Sequence, residues 1–489
     1  MSWSQKLRSS VSHFLRGAVA LAGLLAVSGL QADRITLPEM GDSSGQLLTP
    51  AQERQIGTEF LRRIRQAYAL VDDPEITGYL RSLGERLVSH SDNPAQPFTF
   101  FMIEDQSINA FAAPGGFIGV NAGLVLAAET ESELASVLAH EIAHITQRHL
   151  ARAYEAADKL NIPALAGIIA AILIGSQNSE AGQATLAATQ AGALQAQLNF
   201  TRSNENEADF LGIQTLADAG YDPRAMAVFF ERLQQASRYY SRPPEFLSTH
   251  PVTVNRIANA RDRAADHRYR QVPDSLDFLL IREKLRIRLT APGKLLEEYT
   301  NVLKSGQYQS ETAARYGYAL TLLKADKFRQ ARTQIDWLLA QHPEQRHFLL
   351  LDADYLMATR QHRDSLARYQ QALKIYPDDY ALTVNYAAAL LELGQAQQAM
   401  NMLHDYLRDH PTDAELYKLQ ARAEGDAGHT AEAYLSMAEY HFLNGQTNTA
   451  IEQLDRALQI KDLDFYMTSR IEARRRELLQ VRKIENAHD

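Results

Sequence analysis

Pro343, Pro377 and Pro411 lie 34 residues apart, and two sets of small residues keep the same step. One set is Ala331, Ser365, Ala399 and Ala433; the other is Ala319, Ala353, Ala387 and Ala421. Within each unit the two small positions are 12 apart, and the proline follows 12 later. Small residues let paired helices cross closely, and proline stops a helix because it lacks the N–H and clashes with the preceding turn. Three interlocked registers of this kind hold the chain to stacked helix–turn–helix units, each burying its apolar face against the next. Ala438 and Ala450 extend the spacing by one more pair without the proline, and residues 276–304 read as an atypical leading hairpin.

This segment resembles tetratricopeptide repeats, which implies an α-solenoid over residues 274–480 with a groove for protein partners. Irregular helical hairpins are the weaker alternative. The array fills less than half of a 489-residue chain, so at least one further domain precedes it.

The N-terminus carries an address. Lys6, Arg8 and Arg16 precede an uncharged apolar stretch, Gly17 to Val27, and Leu30-Gln31-Ala32 offers a cleavage site before Asp33. That is the layout of a secretory signal peptide over residues 1–32, and the stretch is short for a membrane span. An N-terminal anchor is the competing reading. Cleavage would remove three positive charges and no acids, taking the formal charge from −9 to −12. The acids and bases are interleaved, so no nucleic-acid footprint is present. The chain has no cysteine, which excludes thiolate metal sites, cysteine nucleophiles and disulfides.

Residues 33–48 read as a polar linker, and 49–268 as a mostly helical domain with one small sheet. Helical patterning runs from Pro50 through Leu87. Phe98, Phe100, Phe101 and Ile103 mark a β-like run, and the Pro114-Gly115-Gly116 turn leads into a second, Phe117 to Val120. The apolar stretch Ile162–Gly175 has 14 residues, short of the roughly 20 that span a bilayer. It reads as a buried helix, with a lid or a membrane-surface element as the alternative.

The chemistry is carried by His140-Glu141-Ile142-Ala143-His144. Thr130, with Glu133 three residues on, marks the start of its helix as a capping box. Helical residues four apart lie about 40° from one another and about 6 Å along the axis. His140 and His144 can therefore point at one metal ion while Glu141 reaches its water. Zinc lowers the pKa of such a water to about 7, so a neighbouring carboxylate can take its proton and deliver hydroxide to a peptide carbonyl.

The third ligand separates the classes of such sites. A metzincin would place glycine and histidine at positions 147 and 150, which hold Gln147 and Leu150. On a continued helix His149 falls on the far side and reads as a surface residue. The ligand must come from another helix, and Glu205 is the best candidate. Asp209 shares its face at i, i+4, with Ala208 beside them for close helix approach. Asp209 is placed to accept a hydrogen bond from the far nitrogen of a ligand histidine and fix its tautomer. Glu207 points about 200° away from Glu205 and reads as solvated.

His140-Glu141-x-x-His144 with Arg202-x-x-Glu205-x-x-Ala208-Asp209 resembles the HtpX/CAAX-prenyl-protease family of gluzincin zinc peptidases. Asn109-Ala110-Phe111-Ala112-x-Pro114-Gly115-Gly116 and the later His250-Pro251-x-x-x-x-Arg256 also match it. The resemblance implies one zinc ion held by His140, His144 and Glu205, with Glu141 as the general base. It makes Phe117, Ile118, Gly119 and Val120 an exposed edge strand onto which substrate backbone adds, a mode that depends little on sequence. Pro251 suits the first turn of a helix, which would put His250 at an exposed helix start. There it would stabilise the oxyanion, or fill the metal's open position until substrate displaces it.

Members with long hydrophobic spans depart from this chain, which looks like the soluble periplasmic branch of the family. That branch implies work on outer-membrane protein precursors, both degrading misfolded or stalled ones and assisting assembly, with the array engaging the outer-membrane assembly machinery. A peripheral membrane contact stays open. The competing reading is a tetratricopeptide adaptor or chaperone whose peptidase domain is latent.

Overall fold

The computed structural model describes residues 49–158, 191–239, 244–268, 272–461 and 463–488. The signal peptide, the linker, and Ile162–Gly175 lie outside them. The described chain is mostly helical, with one three-stranded sheet.

Two helices, α1 (Pro50–Ala67) and α2 (Pro74–Val88), open the first domain. Thr49 and Gln52 cap α1 reciprocally, and the Asp73 carboxylate accepts from the amides of Glu75 and Ile76 at the start of α2. Strands β1 (Thr99–Ile103), β2 (Ala110–Ala113) and β3 (Phe117–Asn121) follow. Then come α3 (Ala122–Ala127), α4 (Glu131–Thr146), α5 (His149–Asp158), α6 (Ala191–Asp218), α7 (Ala225–Tyr239), α8 (Phe246–Thr249) and α9 (Val254–Ala265).

The sheet corrects one expectation. Its order is β1-β3-β2, with β3 parallel to β1 and antiparallel to β2, so Phe117–Val120 is the central strand and not an edge. Every β3 residue is buried, as a strand covered on both faces requires. β2 was not anticipated as a strand; it pairs Ala110–Ala113 with Val120–Phe117 and has no second strand partner among the described residues. The turn between them needs its glycines. Gly115 and Gly116 have φ of 73° and 89°, and a Cβ on Gly116 would lie 2.0 Å from the Pro97 carbonyl oxygen.

Beyond residue 272 the chain is a run of helical hairpins. The leading pair is α10 (Leu276–Leu289) and α11 (Pro292–Ser305). The repeats proper are α12 (Glu311–Lys324) with α13 (Phe328–Gln341), α14 (Arg346–Ala358) with α15 (His362–Ile375), and α16 (Tyr380–Glu392) with α17 (Ala396–Asp409). They continue through α18 (Ala414–Asp426) with α19 (Thr430–Leu443), and α20 (Thr447–Ala457) with α21 (Phe465–His488). Pro343, Pro377 and Pro411 each fall between one hairpin and the next. Ala319, Ala331, Ala353, Ser365, Ala387 and Ala399 are completely buried where paired helices cross, which is why the sequence keeps them small.

The array does not trail behind the first domain; it packs against it. α2 lies against α10 and α16. Glu75 of α2 is buried between Lys284 of α10 and His347 of α14, bonded to both. At the other end Arg62 Nε, Arg65 Nη1 and Gln66 Nε2 donate to the carbonyls of Phe442, Leu443 and Gly445, at 3.0, 2.5 and 2.8 Å. Phe442 and Leu443 end α19, and Gly445 follows in the turn, where its amide also donates to the Phe442 carbonyl at 2.9 Å. Gly445 sits at φ 78°, and a Cβ there would come within 2.6 Å of Gln66 Nε2.

Candidate metal centre

α4 is buried along almost its whole length, because α6, α7, α2 and β2 all pack on it. Thr130 caps it by accepting from the Glu133 amide at 3.2 Å. The capping box is incomplete: the Glu133 carboxylate accepts from the Glu129 amide instead and pairs with Arg232 of α7 at 2.6 Å. That tie anchors the first turn, two turns before His140.

α6 crosses α4 closely enough for the two to share a site. Ala208 is completely buried, and a Cβ on Gly212, four residues on, would lie 3.2 Å from the His140 backbone nitrogen. Glu205 is thereby carried to the histidines. Its carboxylate oxygens lie 3.4 Å from His140 Nε2 and 3.4 Å from His144 Nε2, and those two nitrogens are 3.0 Å apart. His250 joins them, with Nδ1 3.0 Å from Glu205 Oε1 and 3.3 Å from His140 Nε2. One donor atom from each of His140, His144, Glu205 and His250 fits within 4.8 Å of the others.

Glu141 is completely buried, and neither carboxylate oxygen has a hydrogen-bond partner. His250 Nε2 lies 3.4 Å from its Oε1. A buried carboxylate without a donor is costly to keep. Such a group next to three imidazoles and a second carboxylate suits a site that takes a cation with its water.

The surrounding charges set the donors' states. Burial works against ionising Glu205, yet the His250 charge and bonds to three imidazoles hold its carboxyl well below the usual range. Burial drives His144 down to about 3, a neutral imidazole with a free lone pair, against the opposing bond to Glu205. For His140 burial is outweighed by Asp209 and Glu205, which raise it to about 9. A cation bound by the same nitrogens displaces that proton.

Asp209 Oδ1 lies 3.0 Å from His140 Nδ1. Arg256 of α9 then holds both acids of α6: its Nε and Nη2 reach Asp209 at 2.8 and 2.7 Å, and its Nη1 reaches Glu205 at 2.8 Å.

Three expectations change. His149 is not a surface residue; it is buried, with Nδ1 2.8 Å from His144 Nδ1. Glu207 is not simply solvated, since it binds His149 Nε2 at 3.1 Å and Arg152 at 3.0 Å. His250 is not at a helix start. It follows α8, is buried, and is separated from α9 by Pro251-Val252-Thr253, where the Thr253 side chain caps the helix.

The peptidase family M48 model matches residues 74–264, and tetratricopeptide-repeat models match 316–379 and 356–423. The β-barrel assembly-enhancing protease of Escherichia coli strain K12 is 37% identical over 480 residues, covering 98% of both chains. The chain belongs to the β-barrel assembly-enhancing protease family. A putative β-barrel assembly-enhancing protease of Vibrio cholerae is 36% identical over 93% of this chain and 94% of its own. More distantly, a mitochondrial metalloendopeptidase of Schizosaccharomyces pombe is 31% identical over 181 residues, or 37% of this chain and 51% of its own. As a member of the β-barrel assembly-enhancing protease family, this chain is a metalloendopeptidase with a helical repeat array.

Proposed function

We propose that the chain is a periplasmic zinc-dependent endopeptidase acting on outer-membrane β-barrel precursors, degrading misfolded or stalled ones and assisting the assembly of others. The observation that carries the enzymatic part is the convergence of His140, His144, Glu205 and His250 within 4.8 Å, beside the unpartnered Glu141 carboxylate. The relatives' names support the precursor class. The basic and apolar N-terminal pattern supports export.

One zinc ion per chain would be held by His140, His144 and Glu205, supplying a Lewis acid that polarises the scissile carbonyl and acidifies a water. Glu141 accepts that water's proton and hands it to the leaving amine. Asp209, with Oδ1 3.0 Å from His140 Nδ1, holds the proton on that nitrogen and so keeps Nε2 free toward the cation. The free side of β2 is the strand edge onto which an extended substrate adds, beside α4, on which β2 packs.

His250 supplies the second reading, that of an adaptor with a latent peptidase. Its Nδ1 stands among the ligand atoms rather than out in a cleft. In that position it would be a fourth holder of the cation until substrate displaces it, and the array engages the outer-membrane assembly machinery meanwhile. Displaced, it is free to stabilise the oxyanion.

The test is Glu141→Gln in the purified mature protein. The variant should keep about one zinc per chain and lose casein hydrolysis by a factor on the order of 100–10,000. A wild-type protein that binds no zinc and hydrolyses nothing when zinc is supplied would overturn the enzymatic reading.

A further inference from the structure

A cavity of about 430 Å³ lies away from the metal centre, between α3 of the first domain and the first two hairpins of the array. Leu126 of α3, Leu279 of α10, Val302 of α11, and Ala313 and Ala314 of α12 form its apolar walls. Arg282 of α10 also lines it, and so do Glu283, Arg286 and Glu298.

The charges there are unevenly paired. Arg286 reaches Glu283 at 3.4 Å and Glu298 at 2.6 Å, and Glu283 also accepts from the Tyr299 hydroxyl. Arg282 has no carboxylate within ion-pair distance among the described residues. Its Nη1 makes a long contact of 3.4 Å to Gln309 Oε1, and its guanidinium stands 5.3 Å from the Phe278 ring centre. Its Nε is buried without a hydrogen-bond partner. Burial pulls this guanidinium below its ordinary pKa, against the distant pull of Glu283, Asp274, Glu129 and Glu133. Burial also pushes the Glu283 carboxyl up, against the Tyr299 hydroxyl bond and the charges of Arg286 and Arg282.

The Nε/Nη2 edge of a guanidinium matches the two oxygens of a carboxylate, and such fork-to-fork pairs are among the strongest hydrogen-bonded ones. A guanidinium with no carboxylate partner among the described residues, lining a cavity with apolar walls, calls for a carboxylate on an apolar body. We propose that this cavity binds the C-terminal residue of a polypeptide, its free carboxylate on Arg282 and its apolar side chain against Leu126, Leu279 and Val302.

A terminal residue offers both parts at once, and the cavity lies where the array meets the first domain, on a surface that neither the metal ligands nor Glu141 occupies. Binding there is independent of proteolysis, so the proposal stands or falls apart from the peptidase reading.

The experiment uses full-length mature protein carrying Glu141→Gln. Its probe is an N-acetylated hexapeptide ending in leucine, as free acid and as amide, titrated by calorimetry beside 4-methylpentanoate. The free acid should bind, and the amide should bind at least tenfold more weakly. Arg282→Gln should lose the preference for acid over amide while melting as the parent does. Val302→Phe, which fills the cavity from its rim and leaves Arg282 in place, should weaken the acid by a similar factor. Equal binding of acid and amide, or no binding of either, overturns the proposal. So does 4-methylpentanoate binding as tightly as the peptide, which would make the cavity a receptor for free acids.

Discussion

His144 Nδ1 lies 2.8 Å from His149 Nδ1. With His144 Nε2 turned toward Glu205 and His140, its Nδ1 carries the proton and donates it to His149. His149 Nε2 in turn donates to Glu207, 3.1 Å away, which Arg152 also holds. A ligand histidine fixed through its far nitrogen has its tautomer and ring plane set before the cation arrives. His149→Ala should therefore weaken zinc binding about 10–100-fold, read by chelator competition on the purified protein, with little change in circular dichroism. Unchanged zinc affinity in this variant would remove the positioning role.

Arg256 contributes a guanidinium that meets both buried acids of α6, Glu205 and Asp209. Removing one partner from a buried ion-paired set costs about 3–5 kcal/mol, because the remaining charges are left uncompensated. Arg256→Met should lower the melting temperature most in the presence of a chelator. Zinc restores positive charge beside the same carboxylates, so metal should raise the variant's melting temperature more than the wild type's. Equal gains in both proteins would show that Arg256 and the cation do not share their counter-charges.

The contact between α2 and the array should depend on pH through Glu75 and His347. Burial opposes the Glu75 charge, but Lys284 and His347 outweigh it and hold the carboxyl at about 2. Burial likewise opposes the His347 charge, yet Glu75 and Asp277 raise it above its ordinary value of 6.5. The signs differ. A depressed carboxyl adds stability above its unfolded value of 4.5, lost as pH falls toward 2; a raised imidazole adds stability below 6.5, lost as pH climbs through its folded value. Melting temperature should therefore be highest between pH 4.5 and 6.5 and fall on the alkaline side. His347→Gln should flatten that alkaline fall; a slope as steep as the parent's would assign it to other groups.

The sequence was most legible where geometry is periodic. The 34-residue step located the hairpins, and the four-residue step of His140 and His144 placed both imidazoles on one face. It was least legible where periodicity breaks. Arg148 adopts φ 51° between α4 and α5, so projecting His149 along an unbroken helix put it on the wrong side. Strand order is also not a local property, although the unbroken apolar run Phe117-Ile118 with Val120 was itself compatible with a central strand. Thr253, a side-chain cap three residues after His250, was the signal that the helix starts later. Nothing in the spacing of charges foretold that Glu75 would meet Lys284 and His347 across the domain contact, more than 200 residues away.

The meeting of α4 and α6 depends on Gly212 as well as on Ala208. A Cβ at 212 would stand 3.1 Å from the Met226 methyl, 3.2 Å from the His140 nitrogen and 3.3 Å from the Ala139 carbonyl carbon. One methyl can be absorbed by small shifts of Met226, a flexible side chain. The branched methyls of valine would press on the α4 backbone, which cannot yield without moving His140. Gly212→Val should cost about 1–3 kcal/mol of stability as an overpacked core residue. It should also cost more activity than that loss explains, because Glu205 and the histidines sit on opposite sides of the strained crossing. A misplacement of about 1 Å lowers a rate on the order of 100-fold. Casein hydrolysis well below the melting temperature should fall by that much in Gly212→Val and far less in Gly212→Ala. A valine variant that is destabilised yet hydrolyses at the parent rate would mean that the crossing sets stability and not the position of Glu205.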